Sequence, residues 1–258
     1  MSHLDRLLAS TRARVEEART KVPLEALDAR LAGAEPPKRF GDALRADEGM
    51  SLIAEMKRAT PSRGDLDLAL NAADLAASYA LGGAAAISVV TEPTEFKGSL
   101  EDLEAARSAG LPMLRKDFII DEYQVLESRV AAADALLLIV RALEDEYLSG
   151  LLKAARVVGL DALVEVYDAA ELDRALEAGA TIVGVNHRDL TTFQIDPDRT
   201  ARLAPSVPDE VLLVALSGVQ SPADVEYLRA AGADAVLVGE SLVLASDPAA
   251  KIRELLGR

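Results

Sequence analysis

The chain has 258 residues, half of them hydrophobic, which is ample for a large core and fits one α/β barrel. Its formal net charge of −15 gives an acidic surface that repels nucleic acid and anionic membranes. It has no cysteine, which excludes disulfides, thiolate metal sites and cysteine nucleophiles, and its two histidines, His3 and His187, are too far apart in sequence to suggest a histidine metal site. The N-terminus lacks a basic region followed by an apolar stretch, and no apolar run is long enough to span a bilayer. The expectation is a cytoplasmic protein with neither nucleic-acid nor membrane partners.

Residues from about Leu4 to Ala46 read as helical. Leu4, Leu7, Leu8 and Val15 form a stripe, Pro23 opens a second piece, and Pro36-Pro37 breaks it. From Ser51 onward, short apolar runs alternate with amphipathic ones. The predicted strands are Leu52–Lys57, Ala85–Val90, Met113–Lys116, Ala135–Ile139, Ala162–Val166, Ile182–Asn186, Val211–Leu216 and Ala235–Val238. Helical patterns at Asn71–Leu81, Leu100–Ala109, Glu122–Ala132, Leu143–Val158, Ala169–Ala178 and Pro222–Ala231 lie between them. Continuously apolar strands suit a parallel sheet covered on both faces, and eight strand–helix units favour a closed (β/α)8 barrel over an open sheet. The expected organisation is one barrel domain over residues 1–258, with residues 1–48 as an N-terminal helical extension.

Barrels of this kind place their sites at the C-terminal ends of the strands. The first strand ends in Glu55-Met56-Lys57, the third in Lys116 and the fifth in Glu165. The sixth runs into Asn186-His187-Arg188, the seventh into Ser217-Gly218, and the eighth into Gly239-Glu240-Ser241. Residues two apart share a strand face, so Glu55 points with Lys57 and Asn186 with Arg188, while His187 faces away. Strands two and four are exceptions, ending in Thr91 and Arg141. Converging carboxylates and ammonium groups suggest a site, and a structural ion network is the other account.

Residue choice sharpens this reading. The chain has seven lysines against twenty-one arginines, yet Lys57, Lys97 and Lys116 all lie at or after strand ends. A desolvated lysine can release a proton near neutral pH and arginine cannot. Phe96, Phe118 and Phe193, three of only four phenylalanines, fall in loops after strands two, three and six, where they could clamp an apolar substrate part. Ser217-Gly218 and Gly239-Glu240-Ser241 occupy the usual phosphate position of barrel enzymes.

Six segments resemble the motifs of the indole-3-glycerol-phosphate synthase family. They are Ile53 to Gly64, Thr91 to Ser99, Leu114 to Asp121, Leu163 to Val166, Gly184 to Leu190 and Val238 to Leu242. The resemblance runs from about Leu4 to the C-terminus. It implies a (β/α)8 carboxy-lyase of tryptophan biosynthesis that closes the indole ring of 1-(2-carboxyphenylamino)-1-deoxyribulose 5-phosphate, releasing carbon dioxide and water. It implies no metal, no organic cofactor, and a small phosphorylated substrate as the partner. A monomer or weak homo-oligomer is expected.

By resemblance, Lys116 is the general acid and Glu165 the acid or base of dehydration, with Lys57, Glu55 and Asn186 supporting. Pro61, Ser62, Phe96, Phe118, Arg188 and Leu190 would hold the carboxylated ring. Lys57, Ser217, Gly218, Gly239, Glu240 and Ser241 would hold phosphate. The chain departs from the pattern twice: Leu216-Ser217-Gly218 stands where the family has Glu-Ser-Gly, and Asn186-His187-Arg188 where it has Asn-Asn-Arg. The first departure removes a site carboxylate. It leaves room for a diverged paralogue acting on a modified aromatic, or for a silent phosphate-ligand-binding subunit. Phosphoribosylanthranilate isomerase shares the fold, but its family pattern relies on a cysteine that this chain lacks.

Overall fold

The computed structural model describes residues 3–45, 49–189 and 194–258. Eight parallel strands close into a barrel. In chain order they are Ser51–Met56, Ala86–Val90, Met113–Lys116, Ala135–Ile139, Asp161–Val166, Ile182–Asn186, Leu212–Leu216 and Ala235–Val238, called the first to eighth strands below. The last pairs with the first in the register Ser51↔Ala235 to Ala54↔Val238, which removes both sheet edges. Among the described residues, no helix is long and apolar enough to cross a membrane.

Strand alternation divides the core. Ile53, Leu114, Leu137, Leu163, Ile182, Leu212, Val214, Leu216 and Leu237 fill the barrel interior. The alternate positions, such as Leu52, Ala54, Leu136, Leu138, Val164 and Val183, pack outward against the helices. Inward apolar residues occupy the lower strand positions and ionic ones the upper, so the barrel is apolar below and polar at its mouth.

The N-terminal segment wraps this barrel. Its first helix, His3–Lys21, buries Leu7 and Leu8 in the interior cluster. Val15 joins Leu27 and Tyr123 on the outside, so the helix passes from the mouth to the barrel wall. A second helix, Leu24–Leu31, leads to the short helix Phe40–Ala43. There Phe40 and Leu44, both fully buried, join the interior cluster, and the Gly41 backbone N–H donates to Asp161 Oδ2 at 2.9 Å. The chain thus touches the barrel interior twice before the first strand begins.

The expected strands are present within a residue of their ends. The helical reading of residues 4–46 resolves into three helices, and Ala46 lies outside the described residues. A hairpin of Ala59–Thr60 with Gly64–Asp65, inside the loop after the first strand, was not foreseen. Two-residue strands are too short to leave a periodic signal. Helices Arg199–Leu203 and Pro248–Leu255 add to those read from sequence.

Candidate active site

A cavity of about 440 Å³ opens at the C-terminal end of the barrel. Its floor is apolar, built from Val90, Leu137, Ile139, Leu216 and Leu237. His3, Leu4 and Leu7 of the first helix line one flank, and Phe96 and Phe118 contribute aromatic faces from the loops after strands two and three. The structure brings Glu55, Lys57, Pro61, Ser62, Phe96, Lys116, Phe118, Asn186, Arg188, Ser217, Gly218, Gly239, Glu240 and Ser241 to this one wall. Lys97 is exposed and bonds the Thr94 carbonyl instead of lining the cavity. Leu190 and Phe193 lie outside the described residues.

Two lysine–carboxylate pairs dominate the polar end. Lys57 Nζ donates to Glu55 Oε1. Burial pushes the Glu55 carboxyl up, but the charges of Lys57 and Lys116 outweigh it and hold the pKa below the ordinary glutamate value, so Glu55 is an anion at neutral pH. Gly239 makes room for this pair, since a Cβ there would stand 2.7 Å from Glu55 Oε1 and 2.9 Å from Lys57 Nζ. Lys116 Nζ lies 3.6 Å from Glu165 Oε2. Glu165 is 1% exposed and stands behind Lys116 and Asn186, one layer back from the cavity wall.

A second polar part of the wall is built from the last three strand ends. Ser217 Oγ donates to Asn186 Oδ1 at 2.9 Å, and Ser241 Oγ donates to the Val219 carbonyl at 3.3 Å. His187 faces away from the cavity, as its parity requires, with Nδ1 3.1 Å from the Ser217 carbonyl and Nε2 2.7 Å from Thr200 Oγ1. Burial pushes the His187 pKa down, so this buried tie is neutral at pH 7. The Glu240 carboxylate accepts from Arg63 Nη1 at 2.5 Å across the mouth.

Several wall residues escaped the sequence reading. Glu92, 2% exposed, accepts from the backbone N–H groups of Thr94, Glu95 and Phe96, and so shapes the loop that carries Phe96. Asp117 accepts from Arg14, Thr91 and Arg115 at 2.8–3.1 Å. Burial raises its carboxyl, yet Arg115 and Arg14 bring it down to about 2. Arg63 and Lys251 add cations at the rim. Tyr167 bonds Glu165 and had a usable signal, because it follows the fifth strand two residues after Glu165, at the same parity. Arg14 had none, since its partner is remote in sequence.

Fold and polar mouth together define the class as a (β/α)8-barrel enzyme. The chain belongs to the indole-3-glycerol phosphate synthase family, whose sequence profile matches residues 4–255. It is 50% identical over 258 residues to the indole-3-glycerol phosphate synthase of Nocardioides sp. strain JS614, covering 100% of this chain and 99% of that one. It is 48% identical over 254 residues to that of Mycobacterium sp. strain KMS, covering 98% and 93%. A mutant tryptophan synthase alpha-subunit from Pyrococcus furiosus superposes with a TM-score of 0.62 at 17% identity, covering 82% of this chain and 99% of that one. The thiamine phosphate pyrophosphorylase of the same organism gives 0.61 at 17%, covering 80% and 93%. These two likenesses establish the barrel fold alone.

Proposed function

We propose that this chain closes the indole ring of 1-(2-carboxyphenylamino)-1-deoxyribulose 5-phosphate as a carboxy-lyase. The observation that carries the reading is the pair of lysines, each against its own carboxylate, at the polar end of an otherwise apolar cavity. The substrate has a carboxylated aromatic ring, a ketone and a phosphate, and each finds a chemically matched part of the wall. Phe96, Phe118 and Pro61 face the ring, with Ser62 at the rim, and Arg188 takes its carboxylate; Leu190 joins this group by family resemblance. Lys57, Ser217, Gly218, Gly239 and Ser241 take the phosphate. The Glu240 carboxylate would repel a phosphate, so that residue offers its backbone N–H and its hold on Arg63.

In the reaction, the ring carbon that bears the carboxylate attacks the ketone, and Lys116 gives its proton to the ketone oxygen. Loss of carbon dioxide returns the electron pair to the ring. The new hydroxyl then leaves as water, with Glu165 exchanging the protons of that dehydration. Asn186 orients Glu165, and Glu55 keeps Lys57 in place. One positioned acid or base contributes ~10²–10⁴-fold, and fixed charges at both anionic ends supply much of the rest. As part of this reading, the chain works in the cytoplasm as a monomer or weak homo-oligomer.

The test is to incubate purified protein with this substrate and follow the ultraviolet spectrum of an indole. Appearance of the chromophore at a rate proportional to protein supports the reading. A spectrum unchanged over hours at micromolar protein, with substrate intact, rejects it.

A further inference from the structure

Hydrogen directions behind Lys116 can be assigned without ambiguity. The Arg188 backbone N–H is an obligate donor, and it points to Asn186 Oδ1 at 3.0 Å. Ser217 Oγ donates to the same oxygen. The side-chain amide is therefore oriented with its nitrogen inward, where Nδ2 donates to Glu165 Oε1 at 3.0 Å and to the Tyr167 hydroxyl at 2.9 Å. Because the Tyr167 oxygen accepts from Asn186, its own hydrogen goes to Glu165 Oε1, 2.6 Å away. One oxygen of Glu165 thus receives two donors. The other, Oε2, has no hydrogen-bond partner among the described residues and faces Lys116 Nζ at 3.6 Å.

The ring of Tyr167 is itself held. Arg141, the basic residue that ends the fourth strand region, lays its guanidinium 3.5 Å over the ring. Glu171 accepts from Arg141 Nε and from the Tyr167 backbone N–H, both at 2.9 Å, and so ties the clamp together. Tyr167 is 4% exposed, and Arg199 lies on the ring at 5.7 Å. Burial, then the Glu165 charge, push the phenol pKa well above its ordinary value, so Tyr167 keeps its proton and remains a donor.

We infer that Tyr167 is a positioning residue for the ring closure: aimed by Asn186 and clamped by Arg141, it pins one oxygen of Glu165 and turns the other toward Lys116. This rests on the reading above, because it acts through the proton-exchange role given there to Glu165. An apolar ring at position 167 leaves the pinned oxygen with the Asn186 amide as its one remaining donor, which loosens the carboxylate's alignment with Lys116 but not the cavity that binds substrate.

The experiment is steady-state kinetics of Tyr167→Phe, which keeps the ring and its clamp, in wild-type and Glu165→Gln backgrounds, alongside thermal melts. The expected result is a fall in kcat of about ten- to a hundred-fold, the scale of one hydrogen bond to a charged group, with KM within about two-fold. In the Glu165→Gln background the same change has no further effect. Arg141→Met, which loosens the ring without touching the carboxylate, gives a smaller fall of the same kind. An unchanged kcat, an equal loss in both backgrounds, or a loss confined to KM overturns the inference. If the wild type forms no indole, the functional reading fails instead. The carboxylate infrared band of isotope-labelled protein then tests the contact, and a band identical in wild type and Tyr167→Phe rejects it.

Discussion

At the residue scale, the proposed reaction divides the work between Lys116 and Glu165, whose charged groups lie 3.6 Å apart. Lys116→Arg preserves the charge beside Glu165 but donates protons poorly, so turnover in the indole assay should fall ~10²–10⁴-fold. Near-normal turnover would remove Lys116 from the acid's role. Glu165→Gln keeps shape and removes titration. It should lower kcat far more than affinity, since a group used in the transition state shows itself there; a change seen only in KM would make Glu165 a binding group. Leu216 belongs at this scale too. It is 1% exposed, and its Cδ1 lies 2.9 Å from where a Cβ on Gly184 would stand, so it fills the space above that glycine. Packing thus fills the position where the resemblance leads one to expect a carboxylate. Leu216→Glu should lower the melting temperature by about 6 °C or more, because an unpaired carboxylate on an apolar floor costs several kcal/mol and each is worth ~2–4 °C in a chain of this size. A raised or unchanged melting temperature would show that the site accepts the charge.

The first helix, at the scale of elements, is tied to the end of the third strand by Arg14, which donates to both oxygens of Asp117 at 2.9 and 3.0 Å. The tie sets the helix so that Leu4 and Leu7 flank the cavity. Arg14→Ala should cost about 1.5–3 kcal/mol in denaturant unfolding, less than a fully orphaned charge, because Asp117 keeps Arg115 and Thr91. The sign with pH follows from linkage. Asp117 titrates at about 2 when folded, against ~3.9 unfolded, so its stabilisation is present above ~3.9 and is lost as pH falls through about 2. The gap between wild type and Arg14→Ala should therefore be widest above pH ~4 and close toward pH ~2. A gap that widens on acidification contradicts the assignment. The strands that make this scaffold were legible because a buried parallel sheet demands unbroken apolar runs. Strand parity then exposed Glu55 with Lys57 and Asn186 with Arg188. The same rule reaches Tyr167 from Glu165, but an aromatic at an apolar strand's end reads as core. Arg14–Asp117 and Arg63–Glu240 join residues more than a hundred positions apart that no local pattern links, so only the folded chain reveals them, whereas the Glu92 loop bonds span two to four residues and lack a regular period.

For the whole molecule, the barrel separates stability from chemistry along its axis. Phe40 and Leu44 pack fully buried into the interior cluster, whereas every ionic site residue lies at the C-terminal mouth. Phe40→Ala should cost about 3–5 kcal/mol of stability and leave the KM of the folded enzyme near that of the wild type. A changed KM at unchanged stability would contradict that separation. On the proposed function, one cavity carries ring closure, decarboxylation and dehydration through Lys116 and Glu165. The most direct test is a single-turnover experiment with excess enzyme, in which released carbon dioxide and indole product are quantified together. The wild type should give equal molar amounts, and Glu165→Gln should release carbon dioxide ahead of the indole. Equal, simultaneous release from both proteins, or carbon dioxide without any indole from the wild type, would contradict it.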